Sequence, residues 1–154
     1  MAAQAVNSLC AADYPPDRFT VIVVEETARP EAIEAPNVTY VAIPEKNLGF
    51  GYARNEGLRH AGGSIIAFID DDCLVERGWL KEIVSPLLMD SGIAAVAGAV
   101  FTPQCGPVGK CENILGFPGG GALYMHLARG SLLPHAVFST CNCAVRKAAI
   151  DEAG

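Results

Sequence analysis

Residues 62–75 read GGSIIAFIDDDCLV, and this stretch decides the fold. Two glycines end whatever precedes them. The run Ser64–Ile69 then has the length and β-branched character of a strand buried on both faces. It closes on three consecutive carboxylates, Asp70, Asp71 and Asp72, although adjacent like charges repel and nothing in an apolar strand calls for them. On an extended backbone alternate side chains share a face. Asp70 and Asp72 would then point together, their Cα atoms about 6.6 Å apart at about 3.3 Å per residue. Two carboxylates so spaced can flank one divalent cation. Mn²⁺ or Mg²⁺ takes such hard oxygen ligands and completes its shell with water and phosphate. A solvated turn, or a cap on the helix that starts near Arg77, accounts for one acid but not for three.

Working outward, the segments on either side repeat the alternation of strand and helix. Upstream, residues 19–25 and 38–43 read as strands, the second closed by Pro44. Ala2–Ala12 reads as a helix with Val6, Leu9 and Cys10 on one side, stopped by Pro15-Pro16. Between the strands, 27–36 is short and polar, with room for a turn of helix. A Gly-punctuated loop runs into a helix near 50–61, capped by Gly62-Gly63. Downstream, a helix near 77–90 carries Trp79, Leu80, Ile83, Val84, Leu87 and Leu88 at helical spacing, with a kink or a restart expected at Pro86. A strand at 93–101 follows. Residues 102–134 are rich in Gly and Pro without clear period and read as an irregular loop region over a binding face. A short strand within 136–145 and a helix start at 146–154 close the chain. Alternating strands and helices predict one α/β domain over 1–154, a three-layer α/β/α arrangement on a mostly parallel sheet. Ligands of such sheets sit beyond the carboxyl ends of the strands, where the aspartates lie.

Composition narrows the partners. The 154 residues are 51% hydrophobic, which excludes a disordered chain, and their formal charge is −6. No basic run offers a nucleic-acid backbone a surface. An acidic chain that binds an anion needs a metal or backbone amides as mediator, and the aspartates suit the former. No apolar run reaches 18 residues, and the N-terminus lacks the pattern of a signal peptide. The six cysteines show no C-x-x-C pair and read as scattered reduced thiols, although Cys105 and Cys111 are spaced so that they could bridge. His60, His126 and His135 read as surface or loop residues.

Three blocks, IVVEE at 22–26, NLGFGYARNEGLRHAGGSIIAFIDDDCLVERGWL at 47–80 and TCNCAVRKAAIDEAG at 140–154, resemble in order those of the family 2 glycosyltransferases. The middle block, with N-x-G-x-x-x-A-R-N-x-G and a D-x-D pattern at the family's spacing, is the most specific. The resemblance implies a GT-A fold of Rossmann-like type. It also implies a metal-dependent, inverting transfer from a nucleotide-diphosphate sugar, a UDP-sugar first of all, to an unidentified acceptor hydroxyl, in cell envelope or polysaccharide biosynthesis. By the same resemblance Asp70 lies near the donor ribose, Asp72 with Asp70 holds Mn²⁺ or Mg²⁺ against the diphosphate, and Asp71 supports the loop. Glu26 falls where the family contacts the nucleotide base, although the family's two aspartates and Gly-Ser are here Glu25-Glu26-Thr27. Asn47, Gly49, Arg54 and Asn55 flank the nucleotide. Asn142 and Arg146 line the sugar or acceptor side. Solvent-exposed helix charges and loop caps are the plain alternatives for Arg54, Asn47 and Asn55.

The resemblance further implies an incomplete domain. A strand and turn that hold the base are expected ahead of residue 1, and a catalytic base beyond residue 154. No acid in the chain matches that base. A strand lacking its neighbour leaves an open sheet edge at which an oligomer could form. The implied location is cytoplasmic, or peripheral to the inner face of the membrane. A second reading makes the chain a non-catalytic nucleotide-diphosphate binding module, or a fragment inactive for want of its base. A nucleotidyltransferase is the weakest reading, because its basic Gly-rich loop is not visible.

Overall fold

The computed structural model describes residues 2–102, 105–117, 119–128, 130–134 and 139–154. Its chain order is α1 (Ala2–Cys10), β1 (Val21–Glu26), β2 (Val38–Ile43), α2 (Phe50–His60), β3 (Ile65–Ile69), α3 (Trp79–Met89), β4 (Ala95–Ala97), α4 (Pro107–Leu115), α5 (Gly121–Ala128), β5 (Asn142–Arg146) and α6 (Lys147–Ala153). The chain forms two compact units. One comprises Met1–Ile66 with Asp71–Glu82, the other Ala67–Asp70 with Ile83–Gly154.

In the first unit β1 and β2 pair in parallel, from Val21 opposite Val38 to Glu26 opposite Ile43. Both strands follow from their β-branched runs. Helix α2 packs on β1. Gly57 makes that approach possible, since a Cβ there would meet a methyl of Val24 at 3.3 Å. Helix α1 buries Ala5 and Val6, whereas Cys10, expected on its inner side, is exposed. Residues 27–36 form no helix.

A three-stranded sheet runs in the order β3-β5-β4, with β4, β5 and the last residues of β3 in the second unit. Strand β5 runs antiparallel to β4, with Ala95 opposite Val145 and Ala97 opposite Cys143. The expected single, mostly parallel sheet is therefore two sheets among the described residues: a parallel pair, and a triplet containing an antiparallel pair. The core of this unit is Ile83, Val84 and Leu87 of α3 with Cys143, Ala144 and Val145 of β5. Ile83 and Val84 each sit about one helical turn before Leu87, as the sequence spacing predicts. Leu88 does not join them and is 65% exposed. Pro86 lies inside α3, which continues to Met89.

Two further departures have local causes. The strand expected at 93–101 is only Ala95–Ala97. Gly98 N still donates to Asn142 O at 3.0 Å, and beyond it the backbone leaves the ladder. The Asn142 amide donates to the Ala99 carbonyl at 2.9 Å, and the Val100 N–H turns to Gly119 O at 2.9 Å. The stretch 102–134, expected to be irregular, holds α4 and α5. Its Gly and Pro residues punctuate helices instead of dissolving them. Pro107 opens α4, and Gly116 closes it in the left-handed region at φ +91°. Gly121 starts α5 so close to α4 that a Cβ would lie 2.4 Å from Asn113 O. The Asn113 side chain accepts from Thr102 N and donates to Thr102 O, both at 3.0 Å, which ties α4 to the segment before it. The strand expected within 136–145 is seen from Asn142 on; Ala136, Val137, Phe138 and the loop residue His135 lie outside the described residues.

Candidate functional site

The site is built at the carboxyl end of the parallel pair. Glu26 is the last residue of β1, and β2 hands over to a loop, Pro44–Gly49, that leads into α2. Such a loop has no ladder for its amides and must find acceptors elsewhere. One carboxylate oxygen of Glu26 provides them. Its Oε1 accepts the N–H of Lys46 at 2.6 Å and that of Asn47 at 2.5 Å. This clamp holds Asn47 at φ +51°, a left-handed conformation that Asn tolerates better than most residues. Gly49 follows as the N-cap of α2 at φ +84°, with no side-chain cap bond. The clamp thus brings together two of the expected site residues, Glu26 and Asn47, and Gly49 stands two residues on.

The first turns of α2 carry the rest of this block. The Arg54 guanidinium stands 5.8 Å from the centre of the Phe50 ring, one turn before it. Asn55 is exposed on the next position. Further along, Glu56 accepts from Arg59, and Tyr52 donates to Glu56. Those two bonds hold the Glu56 carboxyl below the ordinary carboxylate range, Arg59 contributing most. The same bond to Glu56 raises the Tyr52 phenol. On the neighbouring strands, Tyr40 donates to Glu25, and its phenol is raised mainly by that bond.

The aspartates stand differently from the expectation. Strand β3 ends at Ile69, so Asp70 is already outside it, and Asp71 and Asp72 form a turn. The face alternation of an extended strand therefore does not reach Asp72. The chain is drawn round at this point by the segment that follows. Val75 N donates to the Ser8 hydroxyl at 3.2 Å, and Arg77 O accepts from Asp13 N at 2.7 Å, both ties leading to α1 and its exit. Asp70 is half-buried, while Asp71 and Asp72 are exposed. The Cys73 thiol lies 3.7 Å from Asp72 Oδ1. A thiol is a weak donor, so that carboxylate keeps its acceptor capacity for a stronger ligand. Among the described residues no three His, Cys, Asp or Glu side chains gather round one point. Asp72, exposed in the turn just past the half-buried Asp70, nevertheless fits a hard cation that takes one or two protein oxygens and fills its shell with water and phosphate.

Asn142 and Arg146 lie at the two ends of β5 in the second unit. Asn142 donates to Ala99 as described. The Arg146 guanidinium donates to three backbone carbonyls: Ile93 at 2.8 Å, Asp90 at 2.9 Å, and Leu87. Helix ends leave such carbonyls without intrahelical partners. Arg146 satisfies them at the end of α3 and along the turn that follows. Sequence reasoning missed this anchoring and the amide clamp of Glu26, because each joins groups 20 or more residues apart. It also passed over Ser8, whose hydroxyl could be singled out only by its distant partner. Phe50, 83% exposed at the head of α2, went unremarked inside a motif read for its polar residues.

A parallel strand pair with a clamped loop and helix at its carboxyl end belongs to an α/β protein. The solved structure of Staphylococcus aureus TarS residues 1–349 shares the fold, with a TM-score of 0.58 at 20% identity, over 68% of this chain and 33% of that one. The family model for glycosyl transferase family 2 matches residues 1–154, and the chain belongs to that family. It is 30% identical over 105 residues to glycosyltransferase AglE of Haloferax volcanii, covering 63% of this chain and 34% of the relative. It is 34% identical over 108 residues to the succinoglycan biosynthesis protein ExoM of Rhizobium meliloti, covering 64% and 34%. The UDP-forming cellulose synthase 1 catalytic subunit of Komagataeibacter xylinus is 26% identical over 148 residues, covering 92% and 20%. The chain thus spans about a third of the length of the first two relatives.

Proposed function

We propose that this chain is the donor-binding part of an enzyme that moves a sugar from a nucleotide-diphosphate sugar to an acceptor hydroxyl, with inversion and with Mn²⁺ or Mg²⁺. The observation that carries the reading is the clamp of Glu26 on the Lys46 and Asn47 amides. It fixes a loop and the head of a helix at the carboxyl end of a parallel strand pair, the place where such sheets bind nucleotides. Arg54 and Asn55 on α2 flank the nucleotide, with Arg54 facing its phosphates. Asp71 and Asp72 share the compact unit of this loop. Asp72, with Asp70, would hold the cation, which when bound neutralises charge on the departing diphosphate. The donor is a UDP-sugar; the family's relatives that build polysaccharides, one of them named UDP-forming, support that choice. The acceptor proton goes to a carboxylate base outside the motifs identified in this chain. Asn142 serves the sugar or acceptor side, whereas the bonds of Arg146 give it a supporting part there. No helix among the described residues is long and apolar enough to cross a membrane.

The test is thermal stabilisation by UDP and Mn²⁺ together, which follows from binding to the native state alone. The pair should raise the melting temperature more than either component. Asp72→Asn should abolish the joint effect, and Asp71→Asn should reduce it less. Equal behaviour of the two variants would sink the metal assignment. Joint stabilisation without turnover of any UDP-sugar would favour the second reading, a binding module without catalysis.

A further inference from the structure

We propose that Phe50 is the platform on which the base of the bound nucleotide stacks, with Arg54 behind the ring directed at the attached phosphates. The inference rests on the donor-site reading above and adds to it the element that recognises the ring. Phe50 opens α2 and is 83% exposed, an unusual state for a phenyl group in a first helical turn that any polar residue could occupy. Leu48, two residues earlier, is 51% exposed as well. The segment that presents them is held in place, because Glu26 fixes the Lys46 and Asn47 amides immediately before it. That clamp also consumes two of the backbone donors the loop could have turned toward a ligand. What the loop offers outward is therefore a ring, and beside it a cation.

The combination points to one kind of ligand. An isolated apolar patch would suit any greasy surface. Arg54, 5.8 Å over one face of the Phe50 ring, adds a positive charge behind the face left for a ligand. A ligand that satisfies both must carry a flat ring and, a few ångströms away, an anion. A nucleoside diphosphate has that layout. Stacking on a phenyl ring needs no hydrogen-bond partner from the protein and tolerates any base, so the platform supplies affinity rather than base identity. This accounts for a base contact in a chain whose Glu26 carboxylate is engaged with its own backbone.

The experiment compares two probes, UDP with Mn²⁺ and inorganic pyrophosphate with Mn²⁺, on the native chain and on Phe50→Ala, Phe50→Leu and Phe50→Trp. The native chain should bind UDP more tightly than pyrophosphate. Phe50→Ala should weaken UDP by about 5- to 160-fold, the range of base–aromatic stacking, and leave pyrophosphate unchanged. Phe50→Leu keeps apolar bulk without a π face and should lose nearly as much. Phe50→Trp should retain affinity, and its fluorescence, read against the native chain with Trp79 alone, should be quenched by UDP but not by pyrophosphate. The exposure of Phe50 leaves the fold intact in all three, which melting temperatures without ligand would check. If UDP and pyrophosphate bind the native chain equally, or Phe50→Ala weakens both alike or neither, the stacking inference falls and the donor reading stands. If the native chain binds neither probe, both fall.

Discussion

Glu26 shows how one side chain can shape a binding loop. Its Oε1 serves two consecutive amides, and hydrogen bonds to a charged acceptor are worth about 1.5–3 kcal/mol each when well shielded. In this exposed loop the pair should contribute less, about 1–2 kcal/mol. Glu26→Ala should therefore speed hydrogen exchange at Lys46 and Asn47 by roughly tenfold, since about 1.4 kcal/mol is one decade. Glu26→Gln keeps a neutral acceptor and should show a smaller change, because charge-assisted bonds are about twice as strong. Unchanged exchange in Glu26→Ala would remove the clamp from the argument. The position of Glu26, at the end of an apolar strand, was legible in the sequence. Its role was not, because nothing in IVVEE names a partner 20 residues away. The same holds for Asp72: the acids could be read, but the turn that separates them from β3 depends on ties from Val75 to Ser8 and from Arg77 to Asp13.

Elements with their own period were the readable ones. Strands β1, β2 and β3 and helices α2 and α3 fall within a few residues of where β-branched runs and helical spacing put them. Helices α4 and α5 escaped because their Gly and Pro residues act at boundaries, and boundaries look like loops until a partner helix is present. Strand β5 returns antiparallel to β4, a pairing that local pattern cannot reveal. Two expectations belong to single elements. In α2, the Glu56 carboxyl is held below its ordinary value of 4.5, so its bonds add stability that is fully present above that pH. The contribution is lost as pH falls through the lower folded value. Raised Tyr52 acts oppositely, losing its contribution only above pH 10.0. Between pH 6 and 3 the melting temperature should fall less steeply in Glu56→Gln than in the native chain, and equal slopes would deny α2 this link. For α3, Arg146→Lys can serve only part of the carbonyl set at Leu87, Asp90 and Ile93. It should cost about 1.5–3 kcal/mol by denaturant titration, with the UDP and Mn²⁺ effect retained on the folded fraction. Loss of ligand response without loss of stability would instead make Arg146 a direct contact.

At the scale of the whole molecule, the open edge of β1 has the largest consequence. In a parallel pair each strand bonds its neighbour through alternate residues. Val21 N donates to Asn37 O at 2.8 Å and Thr27 N to Ile43 O at 3.0 Å, which places the odd-numbered residues of β1 on the β2 side. The backbone groups of Ile22, Val24 and Glu26 then face the other edge, where no strand among the described residues pairs. VIVVEE carries no Pro, Lys or bulge along that edge, the usual devices against unwanted pairing. The chain on its own should therefore associate in a concentration-dependent way through β1, measurable by sedimentation. Proline separates this route from others, because it deletes one N–H at a chosen register. Ile22→Pro removes an N–H outside the β1–β2 ladder and should suppress association while the melting temperature falls only modestly. Val23→Pro removes a donor inside the ladder and should cost several degrees more. The alternative surface is the end of α4, where Ile114 and Leu115, with Phe117 just beyond, are more than 60% exposed. Association that persists unchanged in Ile22→Pro would assign self-contact to that helical surface and leave the strand edge with no part in it.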